Sequence, residues 1–277
     1  METKCCGTCK WHEKWRDGWI CVNNDSEFCA DWTDYGHCCE EWEERTDMKP
    51  IYKPKGVAAE YGDYAVNIYT GCPHRCYYCF APNVLRRERE VFHSCVEPRK
   101  DIVAELRRQL ERKQITGQTV HLCFTCDPYP TGCDTSTTQE VIKALKEYGN
   151  HVQILTKGDG SRDFDLLDSE DWYGVTVSGA DHESQEPGAI PEGQRLGIMQ
   201  NAPCKKWISF EPVIQQDFVL TILSLIGADV RVKIGKLNYH PSNIDWAQFG
   251  REAEALCKSL GLDYYIKDSL RAEMEKG

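Results

Sequence analysis

The sequence contains no stretch of about 18 uninterrupted apolar residues, the length that a membrane-spanning helix requires. Its first residues, METKCCGTCKWHEKW, lack the apolar run of a secretory signal. The sequence also lacks internal repeats and low-complexity tracts. From these absences we expect a soluble cytoplasmic protein that makes no contact with a membrane.

Positive charge is scarce as well. The 277 residues carry a formal net charge of −11 at pH 7, which argues against a broad surface for polyanions. A chain of this length with 41% hydrophobic residues can nevertheless form a full-sized catalytic domain with a small appendage. We therefore expect an enzyme-sized globule.

Cysteine, in contrast, is abundant. The chain has 16 cysteines, which without a secretion signal indicate metal ligands or redox groups rather than disulfides. Seven of them lie in residues 1–45, where no apolar periodicity is sustained, so a bound metal would have to stabilise this segment. We predict a Cys-rich metal-binding module at residues 1–45, a linker at 46–62 and a catalytic domain at 63–277.

From residue 63 onward, short β-rich runs alternate with amphipathic helical stretches. The predicted strands are residues 65–69, 119–124, 152–156, 174–178, 207–210 and 230–234. Helical periodicity is clearest at residues 102–110, 141–148, 218–226 and 246–260. Six β-α units are fewer than the eight of a complete barrel. We therefore predict an α/β fold, a partial (β/α)6 TIM-type barrel with its site at the carboxyl ends of the strands.

The first predicted strand runs directly into a loop with Cys72, Cys76 and Cys79 in Cys-x3-Cys-x2-Cys spacing. Three thiolates can face one [4Fe-4S] cluster and leave its fourth iron open to chelate the amino and carboxylate groups of S-adenosylmethionine. Electron transfer into the sulfonium then gives methionine and a 5′-deoxyadenosyl radical. The alternatives are a zinc knuckle that takes a further ligand from elsewhere and cysteines that cluster by chance.

This motif resembles that of the radical S-adenosylmethionine superfamily, because the three cysteines follow the first strand and the aromatic Tyr78 directly precedes the third. Residues 121–131 are similar to the Thr-Asp-Pro-Tyr segment of the spore photoproduct lyase-like group. The resemblance covers roughly residues 60–240 and implies that Thr125 and Asp127 lie where the superfamily contacts the cofactor's amino group. From the residues alone, Asp127 could instead begin a turn.

The resemblance also implies cofactor contacts at the ends of later strands. Lys157 would pair with the methionine carboxylate by a charge-assisted hydrogen bond, and Ser178 would place a hydroxyl near the cofactor. Glu211 follows an apolar strand, where a carboxylate is costly unless it is used, so it could contact ribose, adenine or substrate. The alternatives are solvated loop residues for Lys157 and Ser178 and a helix cap for Glu211.

The lyases of this group use a hydrogen-donor cysteine two positions before the serine of a Cys-Thr-Ser-Asp segment. Here the corresponding run is FTCD at residues 124–127, and Cys123 and Cys126 flank the expected position. These two cysteines are the candidate catalytic hydrogen donors.

The cysteines of residues 1–45 offer four or more metal ligands. The candidate ligands are Cys6, Cys9, Cys21, Cys29 and Cys38. A structural zinc is the first hypothesis, with an auxiliary iron-sulfur cluster or unligated or paired cysteines as alternatives. His12 is either a further ligand or an exposed side chain.

Together these patterns predict an iron-sulfur enzyme, of lyase or oxidoreductase type, that cleaves S-adenosylmethionine reductively and abstracts hydrogen from a substrate. Nucleic acid is the first substrate hypothesis, for repair or modification, and a peptide or protein is the second. Such an enzyme would need a low-potential electron donor of the flavodoxin or ferredoxin type. A non-catalytic electron carrier or metal-binding protein is the alternative from a different class.

Overall fold

The computed structural model describes residues 9, 11–15, 18–21, 23, 26–27, 29, 32–34, 37, 40 and 49–276. The chain divides into two compact units, Met1–Met48 and Lys49–Gly277. Within the described residues, no helix combines the length and the apolar character needed to cross a membrane.

The first unit contains an antiparallel hairpin of β1 (His12–Trp15) and β2 (Gly18–Cys21). A bridge also joins Ile20 of β2 to Trp32. A Cβ atom at Gly18 would collide with the Trp32 ring, so this position requires glycine. The hairpin therefore depends on close packing of one aromatic side chain against its backbone.

The second unit is built on an eight-stranded sheet. Its strands are β3 (Ile51–Tyr52), β4 (Tyr64–Val66), β5 (Thr119–Leu122), β6 (His151–Thr156), β7 (Trp172–Thr176), β8 (Lys205–Phe210), β9 (Val230–Ile234) and β10 (Tyr264–Ile266). The order across the sheet is β10-β9-β8-β7-β6-β5-β4-β3, and every neighbouring pair is parallel except β3 with β4. All six predicted strands are present as β4 to β9, so the prediction of an α/β fold is confirmed. The sheet is open, with β3 and β10 at its edges.

Helices connect the parallel strands. They are α1 (Ala81–Val84), α2 (Arg89–Ser94), α3 (Ile102–Lys113), α4 (Ser136–Glu147), α5 (His182–Gln185), α6 (Glu192–Gln200), α7 (Gln216–Leu225), α8 (Trp246–Leu260) and α9 (Asp268–Met274), with 3-10 helices at Gly56–Glu60 and Ser161–Leu166. The four helices predicted from periodicity are confirmed as α3, α4, α7 and α8. The Asp245 carboxylate caps α8 by accepting the N–H of Gln248, and Gly261 ends it in the left-handed region.

One face of the sheet packs against helices and forms the apolar core. Alternate residues of each strand point to this face, because side chains alternate along a β-strand. Its buried members include Val66, Leu122, Ile154, Val175, Ile208, Phe210 and Ile234 from the strands and Leu106, Leu110, Val141, Leu145, Val219, Leu223 and Phe249 from the helices.

The other face of the sheet carries polar and aromatic side chains, among them His121 of β5 and Trp207 of β8. Tyr61 lies against this face, with its ring centroid 5.4 Å from that of His121 and 6.0 Å from that of Trp207. Its carbonyl oxygen accepts a 3.1 Å hydrogen bond from the Gln153 side chain. The ammonium of Lys233 lies 4.6 Å from the centre of the Tyr61 ring.

Part of the segment at residues 46–62, for which we predicted a linker, contacts the sheet of the second unit. Within this segment, Ile51 is buried and pairs with Val66 at the edge of the sheet. The Glu60 carbonyl accepts a 2.7 Å hydrogen bond from Lys233, far along the chain. The segment from Lys49 onward therefore belongs to the second unit, where Ile51 and Tyr61 contact residues of the sheet.

Candidate active site

Polar side chains gather at one edge of the sheet. The strands β4 to β9 are parallel, so their carboxyl ends share this edge, where open α/β sheets bind ligands. The predicted site residues there are Cys72 after β4, Asp127 after β5, Lys157 after β6, Ser178 after β7 and Glu211 after β8.

The loop that begins at Gly71 carries the three-cysteine motif. A Cβ atom at Gly71 would collide with the carbonyl oxygen of Phe92 and lie 2.7 Å from that of Cys95, so only glycine fits there. The next residue, Cys72, donates its N–H to the same Phe92 oxygen at 3.2 Å. Its own carbonyl oxygen lies 2.7 Å from Nδ1 of His93. Residues of α2 therefore fix the start of the loop.

Arg89 fixes the other half of the loop. Its guanidinium donates hydrogen bonds to the carbonyl oxygens of Cys76 at 2.5 Å, Tyr77 at 3.1 Å and Cys79 at 3.4 Å. The N–H of Cys79 in turn donates to the Cys76 carbonyl at 3.0 Å. On the side of the loop, only backbone atoms take part in these hydrogen bonds, so the cysteine sulfur atoms stay available as ligands.

The three thiols of the loop are free of disulfides, with Cys76 buried and Cys72 and Cys79 partly buried. Burial raises the pKa of all three thiols. The pKa of Cys72 lies well above its usual value, where the Asp127 charge adds to burial, that of Cys76 rises to about 11, and that of Cys79 is also raised. The thiols are therefore protonated at neutral pH until a metal displaces the protons.

The distances between these sulfur atoms bear on whether the loop could bind a single metal ion or a cluster. Thiolates bound to one zinc ion lie roughly 4 Å apart, given Zn–S bonds of about 2.3 Å. Among the described residues, three ligand atoms come within 4.8 Å of one another only at His151, Asp168 and Asp171, not at the cysteine loop. The three sulfur atoms of the loop are therefore not arranged around a single zinc ion, whereas in a [4Fe-4S] cluster each thiolate would bind its own iron.

The carboxylate of Asp127 links the cysteine loop to two strands. Its Oδ1 accepts hydrogen bonds from the N–H of Tyr129 at 2.8 Å and the hydroxyl of Thr156 at 2.5 Å. Its Oδ2 accepts the N–H of Lys157 at 2.9 Å and lies 3.5 Å from Nδ1 of His74. Both oxygens are thus used by the protein. The Asp127 side chain begins a turn at the end of β5 and also orients its surroundings.

His74 lies between the first two cysteines, and sequence reasoning did not single it out. It is almost fully buried, and its Nε2 accepts the backbone N–H of Thr131 at 3.1 Å. The proton is therefore assigned to Nδ1, which faces Asp127. Burial lowers the pKa of His74 and keeps the ring neutral. Its position between Cys72 and Cys76 is the feature of the sequence that could have indicated a role at the site.

A buried ion pair supports the loop from the β7 side. Arg195 and Glu186 are 0% and 1% exposed, and the guanidinium donates to the Glu186 carboxylate. Arg195 also donates to the carbonyl oxygens of Thr176 at 2.9 Å and Ile190 at 2.6 Å. The other carboxylate oxygen of Glu186 accepts the hydroxyl of Tyr78. Sequence reasoning missed this pair, which looks like two ordinary surface charges in the sequence.

Lys157 is the available cation of the site. Its ammonium lies 5.4 Å from the centre of the Tyr78 ring, and within the described part of the chain it makes no ion pair. Burial alone would lower the pKa of Lys157, but the negative charges of Cys76 and Glu186 outweigh burial and raise it. A protonated amine without a hydrogen-bonded carboxylate suits an anionic ligand group.

The residues after β5 offer two further groups. The Thr125 hydroxyl oxygen is buried and has no hydrogen-bond partner among the described residues. Sγ of Cys126 is partly exposed and accepts the N–H of Tyr69 at 3.4 Å, whereas Cys123 is buried with a φ of 68°. Although burial raises it, the pKa of Cys126 is lowered overall by hydrogen bonds from Cys123 and the Tyr69 N–H.

Ser178 and Glu211 already have protein partners. Ser178 is fully buried and donates its hydroxyl at 3.0 Å and its N–H at 2.7 Å to Glu192. Glu211 accepts the hydroxyl of Tyr61 at 2.6 Å and the ammonium of Lys267 at 2.5 Å. The structure therefore places both side chains in contacts that fix neighbouring segments.

Part of the predicted metal site near the amino terminus can be located. Cys9 and Cys21 are buried, Cys29 is partly buried, and none forms a disulfide. Cys6 and Cys38 lie outside the described residues. The expectation that His12 is exposed is wrong, because the side chain is 3% exposed and its Nε2 lies 3.0 Å from the carbonyl oxygen of Thr33.

An open cavity of about 620 Å³ lies beside the cysteine loop. Tyr77 of that loop lines it, together with segments that follow β8 and β9 and include Gln215 and Asn243. The Tyr77 ring also meets His240 edge to face, with 5.3 Å between ring centroids. Aromatic and amide groups thus converge next to the site.

An open, mostly parallel sheet with a three-cysteine loop after its first parallel strand defines an α/β fold of the partial-barrel kind. Solved structures of spore photoproduct lyase are similar to it. A mutant form matches with a TM-score of 0.61 and 12% identity, covering 80% of each chain. A double mutant with bound AdoMet and dinucleoside spore photoproduct matches with a TM-score of 0.59 and 13% identity, covering 77% of this chain and 78% of that one. The chain shares their fold.

Sequence comparison finds relatives without a described function. Uncharacterized proteins of Mycobacterium tuberculosis and Mycobacterium bovis are 35% identical over 104 residues. The match spans 34% of this chain and 29% of the length of these curated relatives. No family model matches the chain.

Proposed function

We propose that this protein is a radical S-adenosylmethionine enzyme in which Cys72, Cys76 and Cys79 hold a [4Fe-4S] cluster. The observation that carries the proposal is the loop of three free cysteines, in Cys-x3-Cys-x2-Cys spacing, after the first parallel strand. When bound, the cluster and S-adenosylmethionine together supply a 5′-deoxyadenosyl radical, as one electron breaks a carbon–sulfur bond and releases methionine.

We assign the direct cofactor contacts to groups that lack protein partners. Lys157 binds the methionine carboxylate, since its ammonium has no ion pair among the described residues. The buried Thr125 hydroxyl, also unpartnered there, hydrogen-bonds a polar group of the cofactor. Asp127 and Ser178 act indirectly, because protein groups already occupy their side-chain oxygens. Glu211 uses Oε2 for Tyr61 and Lys267, and its Oε1 contacts ribose, adenine or substrate in this proposal.

Tyr78 and Cys126 have different roles in this assignment. Tyr78 offers its ring to Lys157 and its hydroxyl to Glu186, so it orients the cation. Cys126 is the hydrogen donor rather than Cys123, because it is the more exposed of the two. Its S–H bond breaks as a C–H bond forms on the substrate radical, which leaves a thiyl radical on Cys126.

Nucleic acid is the substrate class that we propose. The support is a structural neighbour that holds dinucleoside spore photoproduct and a cavity whose Tyr77 ring and amide groups suit a planar, hydrogen-bonding base. Adding oligonucleotides to the enzyme should stimulate cofactor cleavage. If peptides stimulate cleavage and oligonucleotides do not, the substrate is a peptide or protein.

The amino-terminal unit holds a structural zinc in this proposal, with Cys9, Cys21 and Cys29 among the ligands. The support is that Cys9 and Cys21 are buried, that none of the three forms a disulfide and that a β-bridge joins Cys21 to Cys29. Their three sulfur atoms do not all lie within 4.8 Å of one another, so the metal would have to draw them together. Metal analysis of the purified protein should find zinc that the double variant Cys9→Ser/Cys21→Ser loses. Iron and acid-labile sulfide beyond one cluster would instead indicate an auxiliary cluster.

The decisive experiment is anaerobic reconstitution with iron and sulfide, followed by dithionite and S-adenosylmethionine, with 5′-deoxyadenosine as the measured product. The wild type and a Cys133→Ala control should form it, whereas Cys76→Ala should not. A well-formed cluster that cleaves nothing, and whose spectrum the cofactor leaves unchanged, would replace the proposal with an electron-carrier function.

A further inference from the structure

The short helix α1 exposes apolar side chains directly beside the cysteine loop. Phe80, the residue after Cys79, is 49% exposed, and Val84 is 64% exposed. The N–H of Val84 donates to the carbonyl of Phe80 at 3.2 Å, so the two side chains lie one helical turn apart on the same face. An apolar surface therefore begins one peptide bond from a proposed cluster ligand.

Arginines are frequent in the segment that carries this surface, although the whole chain is acidic. Residues 75–91 contain four arginines and two glutamates, in a chain of net charge −11. Glu90 pairs with Arg75 at 2.8 Å, and Glu88 caps α2 by accepting two backbone N–H groups. Neither glutamate thus offsets the charges of the arginines at positions 86, 87 and 89.

The charges of these three arginines remain unneutralised by acidic side chains. Arg87 donates to the carbonyl of Thr70, and Arg89 donates to carbonyls of the cysteine loop. Arg86 is exposed, and its guanidinium has no hydrogen bond or ion pair within the described part of the chain. The surface is consequently a local region of positive potential around an apolar centre.

We infer that the surface formed by Phe80, Val84, Arg86 and Arg89, the α1 surface, docks an acidic one-electron carrier protein that reduces the cluster. The inference rests on the proposed function, since reductive cleavage of the cofactor needs an electron. In this step the reduced carrier loses one electron and the cluster gains it, while no covalent bond forms or breaks.

The chemistry of the α1 surface favours a protein over a nucleic-acid strand. Interface cores are enriched in aromatic residues and arginine, whereas a phosphate backbone is bound mainly by cations and hydrogen-bond donors. Electron-transfer complexes are small, burying less than about 1,200 Å² in total, so two short helices suffice. Charge complementarity between arginines and an acidic carrier would speed the encounter and orient it.

The test uses the reconstituted full-length protein and an acidic flavodoxin. Binding of oxidised flavodoxin is measured by titration, and cluster reduction by reduced flavodoxin is followed by stopped-flow absorbance. Arg86→Glu and Val84→Asp change the surface; Lys113→Glu, exposed at the end of α3, and Leu225→Asp, 76% exposed on α7, are matched controls.

We expect Arg86→Glu to slow reduction by flavodoxin about tenfold at low salt and to weaken flavodoxin binding, with a difference that shrinks as salt rises. Val84→Asp should weaken binding at all salt concentrations, and the two controls should behave like the wild type. The inference is overturned if the surface variants match the wild type or if the controls lose as much.

Dithionite separates this inference from the proposed function. A small reductant needs no docking surface, so 5′-deoxyadenosine formation with dithionite should be equal in the wild type and the surface variants. If the wild type cleaves nothing with dithionite, the proposed function fails, whereas flavodoxin binding still tests the surface. If Arg86→Glu instead loses affinity for single-stranded oligonucleotides and keeps the flavodoxin rate, the α1 surface binds nucleic acid and the inference is wrong.

Discussion

The hydroxyl of Tyr61 donates a 2.6 Å hydrogen bond to the Glu211 carboxylate, which also accepts the ammonium of Lys267 at 2.5 Å. Tyr61 precedes β4, Glu211 follows β8, and Lys267 follows the edge strand β10. The contact thus joins the chain before the first parallel strand to the opposite edge of an open sheet. Glu211, for which we predicted a contact to ribose, adenine or substrate, thus also takes part in this junction.

Replacing Tyr61 with phenylalanine tests the junction. The variant keeps the ring but leaves the partly buried Glu211 carboxylate with one donor fewer, so we expect the free energy of unfolding to fall by about 1–2 kcal/mol. Chemical denaturation measures the change. Tyr239→Phe, at a side chain that is 95% exposed, should unfold like the wild type. Equal stability of Tyr61→Phe and Tyr239→Phe would mean that the hydroxyl contributes nothing.

The buried pair of Arg195 and Glu186 should be more sensitive to mutation. Arg195→Met leaves the Glu186 carboxylate without its guanidinium partner, and we expect a loss of about 3 kcal/mol in the free energy of unfolding. Adding Glu186→Gln removes the stranded charge and should recover part of that loss. Arg107→Met, which breaks an exposed pair with Glu147, should cost no more than about 1 kcal/mol. Equal losses in the two single variants would contradict the importance of burial.

The sequence predicted those parts of the fold that have a local signature. The six central strands and the long helices follow from hydrophobic periodicity, and the cysteine loop follows from its spacing. The edge strands β3 and β10 contain two and three residues, too few to show alternation. These two strands form by pairing with other strands, and the pairing cannot be predicted from a few neighbouring residues.

The sequence indicated the position of the candidate site at the carboxyl ends of the strands, but not the buried residues that support it. Lys157 directly follows β6, and because the carboxyl ends of parallel strands share one edge of the sheet, its position at that edge follows from the sequence. Glu186 and Arg195, in contrast, are buried charges that only the folded chain brings together. A charged residue in a polar stretch normally indicates a solvated surface, so sequence reasoning could not separate these two from their exposed neighbours.

The glycine before the first cysteine should control metal loading. A methyl group at Gly71 would meet the Phe92 carbonyl oxygen that also anchors Cys72, so Gly71→Ala must displace the start of the loop. We expect this variant to retain clearly less iron and sulfide per chain after reconstitution. Gly197→Ala, in α6 with open space around the added methyl, should load normally. Full iron content in Gly71→Ala would show that the loop tolerates the displacement.

Lys233 gives the protein a predictable dependence of stability on pH. Burial, followed by the positive charge of Lys267, lowers the pKa of Lys233 from 10.5 to about 8. Between these two values the unfolded chain retains a proton that the folded chain has lost, so this lysine makes stability rise with pH in that window. Lys233→Met removes the titration, and the unfolding free energy of the wild type relative to this variant should increase from about pH 8 to pH 10. Other titrating groups are common to both proteins and cancel. The exposed Lys258→Met should follow the wild type, and a constant offset between wild type and Lys233→Met would mean that Lys233 titrates normally in the fold.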